Sequence, residues 1–372
     1  MRIGVIGTSR KPDERRVPVH PDHLAQIDQS VRSRMVFEAG YGRPFDLDDA
    51  AIAASAGGVA PRAQVLAESD LVVLPKPLPE DLLAMRMGAA LCGWVHLVQQ
   101  KAMAQAAIDR RLTVLAWESM NYWTTQGQWQ GHVFARNNEI AGYAAVIHAL
   151  GLVGMAGHFG PARRAAVIGF GSTGQGALRA LTGLGFRDTV VYVPAEWKRP
   201  RMPSGDENLR SFDVQPDGPV ICAGGKALVD ELAAKDVIVN CILQDPNRPI
   251  MYLRADQVRT LRPGFLIVDV SCDRGMGFPF ARPTSIAEPV YRVGAGWYYA
   301  VDHTPSFLWR DASWEISRAL LPFWEDLAAG LSRWETHPVL SRTLEMRNGE
   351  ILNQAILAFQ RRDAQYPHAI RG

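Results

Sequence analysis

Cysteine is scarce in this chain. There are four in 372 residues, Cys92, Cys222, Cys241 and Cys272, with no C-x-x-C pair and no histidine at zinc-ligand spacing. That argues against a disulfide scaffold and against a metal site. Each thiol lies in apolar, strand-like surroundings, which predicts buried free cysteine and a reducing, cytoplasmic setting. An excess of one charge is also missing: 40 basic and 38 acidic residues are interspersed and leave a net charge of +2. Neither nucleic acid nor an anionic membrane is therefore expected as the main partner. No hydrophobic run is long enough for a membrane span. Ala141–Gly157 is roughly 17 residues, rich in glycine and interrupted by His148, where a span needs about 20; it predicts a buried connecting helix. There is no internal repeat or long low-complexity run, and Met1 leads straight into a strand pattern, so no leader segment is expected.

What is present is ordinary globular composition, 47% hydrophobic and 21% charged, over a length suited to two domains. Short apolar runs predict strands at Arg2–Gly7, Arg34–Ala39, Asp70–Leu74, Ala89–His96 and Thr113–Trp117. Helical spacing between them covers Pro21–Gln29, Asp46–Ala56 and Gln99–Arg110. Asn121–Gly131, rich in Trp, Gln and Thr, has no clear period and is expected to be an irregular loop. A long helix, about Asn138–Met155, leads to a second series of strands: Ala165–Gly169, Thr189–Val193, Val237–Ile242, Phe265–Val270, and a late pair around Tyr291 and Trp297–Val301. Pro194–Gly218 is polar and proline-rich, which predicts a surface excursion. From Ala312 onward the pattern is helical. Strand–helix alternation on this scale predicts an α/β protein with two doubly wound parallel-sheet domains. The expected divisions are a substrate domain (1–137), a Rossmann dinucleotide-binding domain (138–305), and C-terminal helices (306–372) returning to the first domain.

The sharpest motif is the glycine turn Gly169, Gly171, Gly174. A bare G-x-G-x-x-G is weak, but this one follows an apolar strand and opens an apolar-periodic helix, as the motif requires. Gly169 suits a tight turn, Gly171 a close approach of backbone to pyrophosphate, and Gly174 close helix–strand packing. Ser172 and Thr173 stand at the helix N-terminus, which favours an anion. The following strand, Thr189–Val193, lacks the terminal acid that usually holds the ribose 2′-hydroxyl of NAD. Lys198, Arg199 and Arg201 follow instead. That favours NADP(H); NAD(H) is the alternative if Glu196 reaches back to the ribose and the bases are only a solvated loop.

Three basic groups in the first part stand at telling places. Arg16 lies just beyond the first strand; Lys76 follows Asp70–Leu74; His96 closes Ala89–His96. Strand ends are where open α/β sheets place ligands. A substrate carboxylate could pair with Arg16 and Lys76, and His96 titrates near neutrality. Taken singly, each is more simply a solvated or hydrogen-bonded structural residue; only the joint placement is informative.

These motifs, in this order, resemble the alanine dehydrogenase/transhydrogenase N-terminal family, with saccharopine dehydrogenases as relatives and the N5-(carboxyethyl)ornithine synthases as the branch most alike. The likeness rests on Glu14–Pro18, Phe37–Gly42, Leu91–His96, Ala141–Val146, the glycine turn, Ile267–Asp273 and Gly296–Ser306. The resemblance implies that Arg16 and Lys76 hold the substrate carboxylate, that His96 is the acid/base, and that Asp273 lies beside the nicotinamide. It also implies reductive condensation of a pyruvate-like 2-oxo acid with the amine of an ornithine-like amino acid, in a homo-oligomeric enzyme. An amino-acid dehydrogenase or a saccharopine-type enzyme is the alternative, and a non-catalytic dinucleotide-binding protein a third. His303 stands where relatives carry Asn and is placed with the cofactor-binding residues. The loop 121–131 and the tail beyond Leu320 match nothing in the family core.

Overall fold

The computed structural model describes residues 1–197, 208–215, 218–244 and 249–371. In chain order the strands of the first stretch are β1 (Ile3–Val5), β2 (Met35–Glu38), β3 (Gly58–Ala60), β4 (Leu71–Val73), β5 (Ala90–Gly93), β6 (Thr113–Ala116), β7 (Asn121–Trp123) and β8 (Trp129–His132). Next come β9 (Arg164–Ile168), β10 (Asp188–Pro194), β11 (Leu209–Val214), β12 (Val220–Cys222), β13 (Val237–Asn240), β14 (Leu266–Asp269), β15 (Val290–Val293) and β16 (Gly296–Tyr299). Last are β17 (Leu344–Arg347) and β18 (Glu350–Ile351). The chain forms two compact units, one of Met1–Ala135 with Trp309–Gly372 and one of Arg136–Leu308.

In the first unit the sheet order is β18-β17-β6-β5-β4-β1-β2-β3. Strands β1 to β6 pair in parallel, and β17 and β18 add an antiparallel edge. Both faces are covered, so alternate residues enter different cores. Leu71 and Val73 point to one, with Phe37 and Trp117, while Val72 and Leu74 point to the other, with Leu91 and Val114. This is why the strands read as continuous apolar runs. The C-terminal helix Trp309–Leu320 belongs to this unit: it buries Ile316 and Leu320 in the first core, and Ser313 Oγ accepts the Val17 amide at 3.1 Å.

The second unit has sheet order β12-β11-β10-β9-β13-β14-β16-β15, parallel from β11 through β16 with antiparallel edges. The long helix Ala135–Leu152 and the helix Ser172–Gly183 after β9 supply its α layer. Gly142 and Gly176 allow these helices to touch: an added Cβ would lie 1.9 Å from Thr173 O and 1.8 Å from Glu139 O respectively.

The structure differs from the expected elements in several places. The stretch 121–131 is a β-hairpin, β7–β8, closed at Gly127 (φ 77°); its polar, exposed strands lack the apolar alternation that marks a buried one. The supposed excursion Pro194–Gly218 contains β11, whose Leu209 to Val214 alternate weakly because the strand lies near the sheet edge. The C-terminal stretch is not all helix: β17 and β18 turn at Asn348 (φ 49°) and Gly349 (φ 83°), an Asn-Gly hairpin signal that was present in the sequence. The short strand Gly58–Ala60 was also missed.

Candidate functional site

Lys76 lies three residues beyond β4 and His96 three beyond β5, and these strands are neighbours in register, Val73 beside Cys92. Parallel pairing therefore brings the two side chains to the same end of the sheet, where Lys76 Nζ and His96 Nε2 are 2.5 Å apart. His96 adopts φ 47°, a left-handed conformation that a non-glycine residue holds only when its surroundings impose it. The imposing group is Glu118, just after β6. Its Oε1 accepts the His96 backbone N–H at 2.9 Å and meets His96 Nδ1 at 3.1 Å. Glu118 thus fixes the proton on Nδ1 and leaves the Nε2 lone pair turned toward the ammonium.

Burial sets the protonation states. It lowers Lys76 to about 8, helped by the nearby charges of Lys11 and Arg16 and opposed by Glu118 and Glu14. The same desolvation raises Glu118, against the pull of Lys76 and its backbone hydrogen bonds. Glu118 Oε2 is buried with no hydrogen-bond partner among the described residues. Behind it Glu345, on β17, accepts from Asn353 Nδ2 at 3.3 Å, and burial followed by the charge of Glu118 pushes it up to about 7.

Arg16 joins the group through Trp94: its guanidinium carbon is 4.9 Å from the indole centroid and Lys76 Nζ is 5.9 Å from it. Arg16 is 3% exposed, and its Nε–Nη2 edge is gripped by Glu14 at 2.8 and 2.6 Å. Arg16 is thereby held in place along that edge. The residues that sequence reasoning missed here are Glu14, Trp94 and Glu118. Glu14 and Trp94 lay inside quoted segments, but Glu118 follows an apolar strand with no motif to mark it.

The second unit carries the glycine turn. Gly169 has φ 95° and an added Cβ would meet Ile242 Cγ1 at 2.7 Å; at Gly174 it would meet Gly169 O at 2.2 Å. At Gly171, by contrast, nothing among the described residues lies within 4 Å. Gly171 caps the twelve-residue helix Ser172–Gly183 with no side-chain hydrogen bond, so Ser172, Thr173 and Gly174 open that helix without a side-chain cap. An open approach and an uncapped helix start fit a dinucleotide phosphate. Lys198 and Arg199 fall outside the described residues; Glu196, just beyond β10, is exposed. Asp273 is half-buried in the turn after β14, and burial raises its carboxyl. His303 is 4% exposed; its Nδ1 is 2.7 Å from Asp302 Oδ1, and its Nε2 has no hydrogen-bond partner among the described residues.

Comparison with known proteins gives the family. The N-terminal domain model of the alanine dehydrogenase/PNT family matches residues 5–138, and the C-terminal domain model matches 140–354, so the stretch 121–131 and the tail as far as 354 fall within the family's span, against the expectation from the sequence. The chain belongs to the alanine dehydrogenase/PNT family. It is 28% identical over 332 residues to an N(5)-(carboxyethyl)ornithine synthase of Lactococcus lactis, covering 86% of this chain and 93% of that one. It is 26% identical over 372 residues to an alanine dehydrogenase of Mycobacterium tuberculosis, covering 96% of both. Among solved structures, an L-alanine dehydrogenase superposes with a TM-score of 0.74 at 20% identity, over 96% of this chain and 99% of that one. A transhydrogenase from Sinorhizobium meliloti gives 0.70 at 19% identity, over 95% and 100%. The family is one of oxidoreductases that use a pyridine dinucleotide, and the fold is that of alanine dehydrogenase. No helix among the described residues is long and apolar enough to cross a membrane, and they contain no cluster suited to a metal ion.

Proposed function

We propose that this oxidoreductase reductively joins a pyruvate-like 2-oxo acid to the amine of an ornithine-like amino acid, giving an N-(carboxyethyl) amino acid, with NADPH as reductant. The observation that carries the reading is the half-buried Lys76–His96–Glu118 array. Condensation of a ketone with an amine needs a cation near the carboxylate and carbonyl, and an acid/base that changes roles near neutral pH.

Arg16, held by Glu14, and Lys76 anchor the oxo acid by its carboxylate. The amine attacks the carbonyl carbon, and His96 Nε2 carries a proton to the departing hydroxyl, so that water leaves and a carbon–nitrogen double bond forms. Glu118 stabilises the imidazolium while His96 holds its proton, and Lys76, at about 8, restores it. The reduced dinucleotide, when bound, supplies the hydride that converts this double bond to a secondary amine. The opening at Gly171 and the start of the helix at Ser172, Thr173 and Gly174 would hold its phosphates, and Asp273 and His303 would bind it near the nicotinamide. Lys198 and Arg199 are the candidates for the 2′-phosphate of NADPH, which is the basis for preferring it to NADH. We further propose a homo-oligomer with small-molecule substrates only.

The alternative is an amino-acid dehydrogenase in which ammonia supplies the nitrogen. It is favoured by the alanine dehydrogenase match, which spans 96% of the chain against 86% for the synthase. A grid of 2-oxo acids against ammonia, ornithine and lysine, run with NADPH and with NADH and read by mass spectrometry, separates the two. A reduced adduct with an amino acid supports the condensation. Turnover with ammonia alone replaces it with the dehydrogenase.

A further inference from the structure

Asp269, the last residue of β14, is wholly buried, yet none of its hydrogen-bond donors among the described residues is a cation. Its Oδ1 accepts from Asn240 Nδ2 at 2.9 Å and from the Cys272 backbone N–H at 3.1 Å, and its Oδ2 accepts from the Tyr298 hydroxyl. Asn240 closes β13 and Tyr298 lies in β16, so one carboxyl joins three adjacent parallel strands at the end where such sheets bind ligands. A buried carboxyl satisfied only by neutral donors is costly, and burial pushes Asp269 up to about 6. An apolar residue would make a cheaper core, which points to a role beyond packing.

Two loops depend on these bonds. The Cys272 N–H is tied to Asp269, and at that anchored residue the chain takes φ 45°, a reversal that sets the direction of Asp273, the next residue. Asn240 Oδ1 accepts the Ile242 N–H at 3.3 Å, and Ser271 Oγ donates to Ile242 O at 2.7 Å. Ile242 in turn bounds the glycine turn, where its Cγ1 would lie 2.7 Å from a Cβ on Gly169.

We propose that Asp269 is a positioning residue for the dinucleotide: through Asn240 and the Cys272 amide it fixes the loops leaving β13 and β14, and so places Asp273 and the wall of the glycine turn. The inference rests on the dinucleotide use proposed above and assigns it a residue that makes no contact of its own.

The experiment compares Asp269→Ala and Asp269→Asn with the unaltered chain. Reduced-dinucleotide affinity is measured by fluorescence titration, and amide hydrogen exchange across 240–244 and 270–276 in the nucleotide-free protein. The alanine variant should weaken binding about tenfold or more and speed exchange in those two loops only, with KM for the oxo acid unchanged. The asparagine variant should recover affinity to within about threefold, because an amide oxygen still accepts from Asn240 and Cys272 while its nitrogen donates to Tyr298. Should the alanine variant fail to fold, Asn240→Ala removes the same bond from the other side and carries the same expectation. Native affinity and exchange in a folded variant overturn the inference alone; absence of dinucleotide binding by the unaltered chain overturns it together with the proposed function.

Discussion

His96 Nδ1 lies 3.1 Å from Glu118 Oε1, and the same oxygen accepts the backbone N–H of His96. One carboxylate thus fixes both the strained backbone and the tautomer of the imidazole whose other nitrogen meets Lys76.

Removing the imidazole tests the acid/base role. His96→Ala should lower kcat about 10²- to 10⁴-fold while leaving dinucleotide affinity unchanged, since the glycine turn lies in the other unit. Steady-state kinetics beside a binding titration check this; full activity in the variant would remove His96 from the mechanism.

Glu118→Gln should shift the alkaline limb of the pH–rate profile. The negative charge of Glu118 raises Lys76, which stands at about 8. Without that charge Lys76 loses its proton at lower pH, so activity should fall away earlier as pH rises. An unmoved alkaline limb in kcat/KM would show that Lys76 does not control it.

The glycines of the turn should separate folding from binding. Gly174→Ala places a methyl 2.2 Å from Gly169 O, a backbone atom that cannot yield, and should lower the melting temperature. Gly171→Ala meets nothing within 4 Å among the described residues, so its melting temperature should hold while dinucleotide affinity drops about tenfold or more. Equal affinity in the Gly171 variant would show that the phosphates lie elsewhere.

Glu345 makes stability depend on pH. Its carboxyl rises from an ordinary 4.5 to about 7 on folding, so between those values the folded chain binds more protons than the unfolded one. Its contribution is complete at low pH and is lost as pH rises through about 7. Glu345→Gln should therefore stabilise the first unit at pH 8 by on the order of 2 kcal/mol and change it little at pH 4. Urea unfolding at the two pH values reads the difference, and equal effects at both would refute the burial argument.

Glu14→Gln tests the grip on Arg16. Leaving a guanidinium that is 3% exposed without its carboxylate should cost about 3 kcal/mol and raise KM for the oxo acid. A stable variant with native KM would mean that Arg16 needs no support.

Local patterns in the sequence determined the parallel strands, the glycine turn and the candidates Arg16, Lys76 and His96, because apolar runs flanked by glycine and charge carry their own signal; Asp273 became a candidate only through the family resemblance. What they left undetermined was pairing. β17 joins the first sheet beside β6, more than 200 residues away in the chain, and β11 hides in a polar stretch because an edge-side strand needs apolar residues on only part of its surface. Glu118 and Asp269 belong to the same class. Each is an acid at a strand end with nothing to distinguish it until parallel pairing sets it beside His96 or Asn240, since only burial and a partner's geometry give a carboxylate its role.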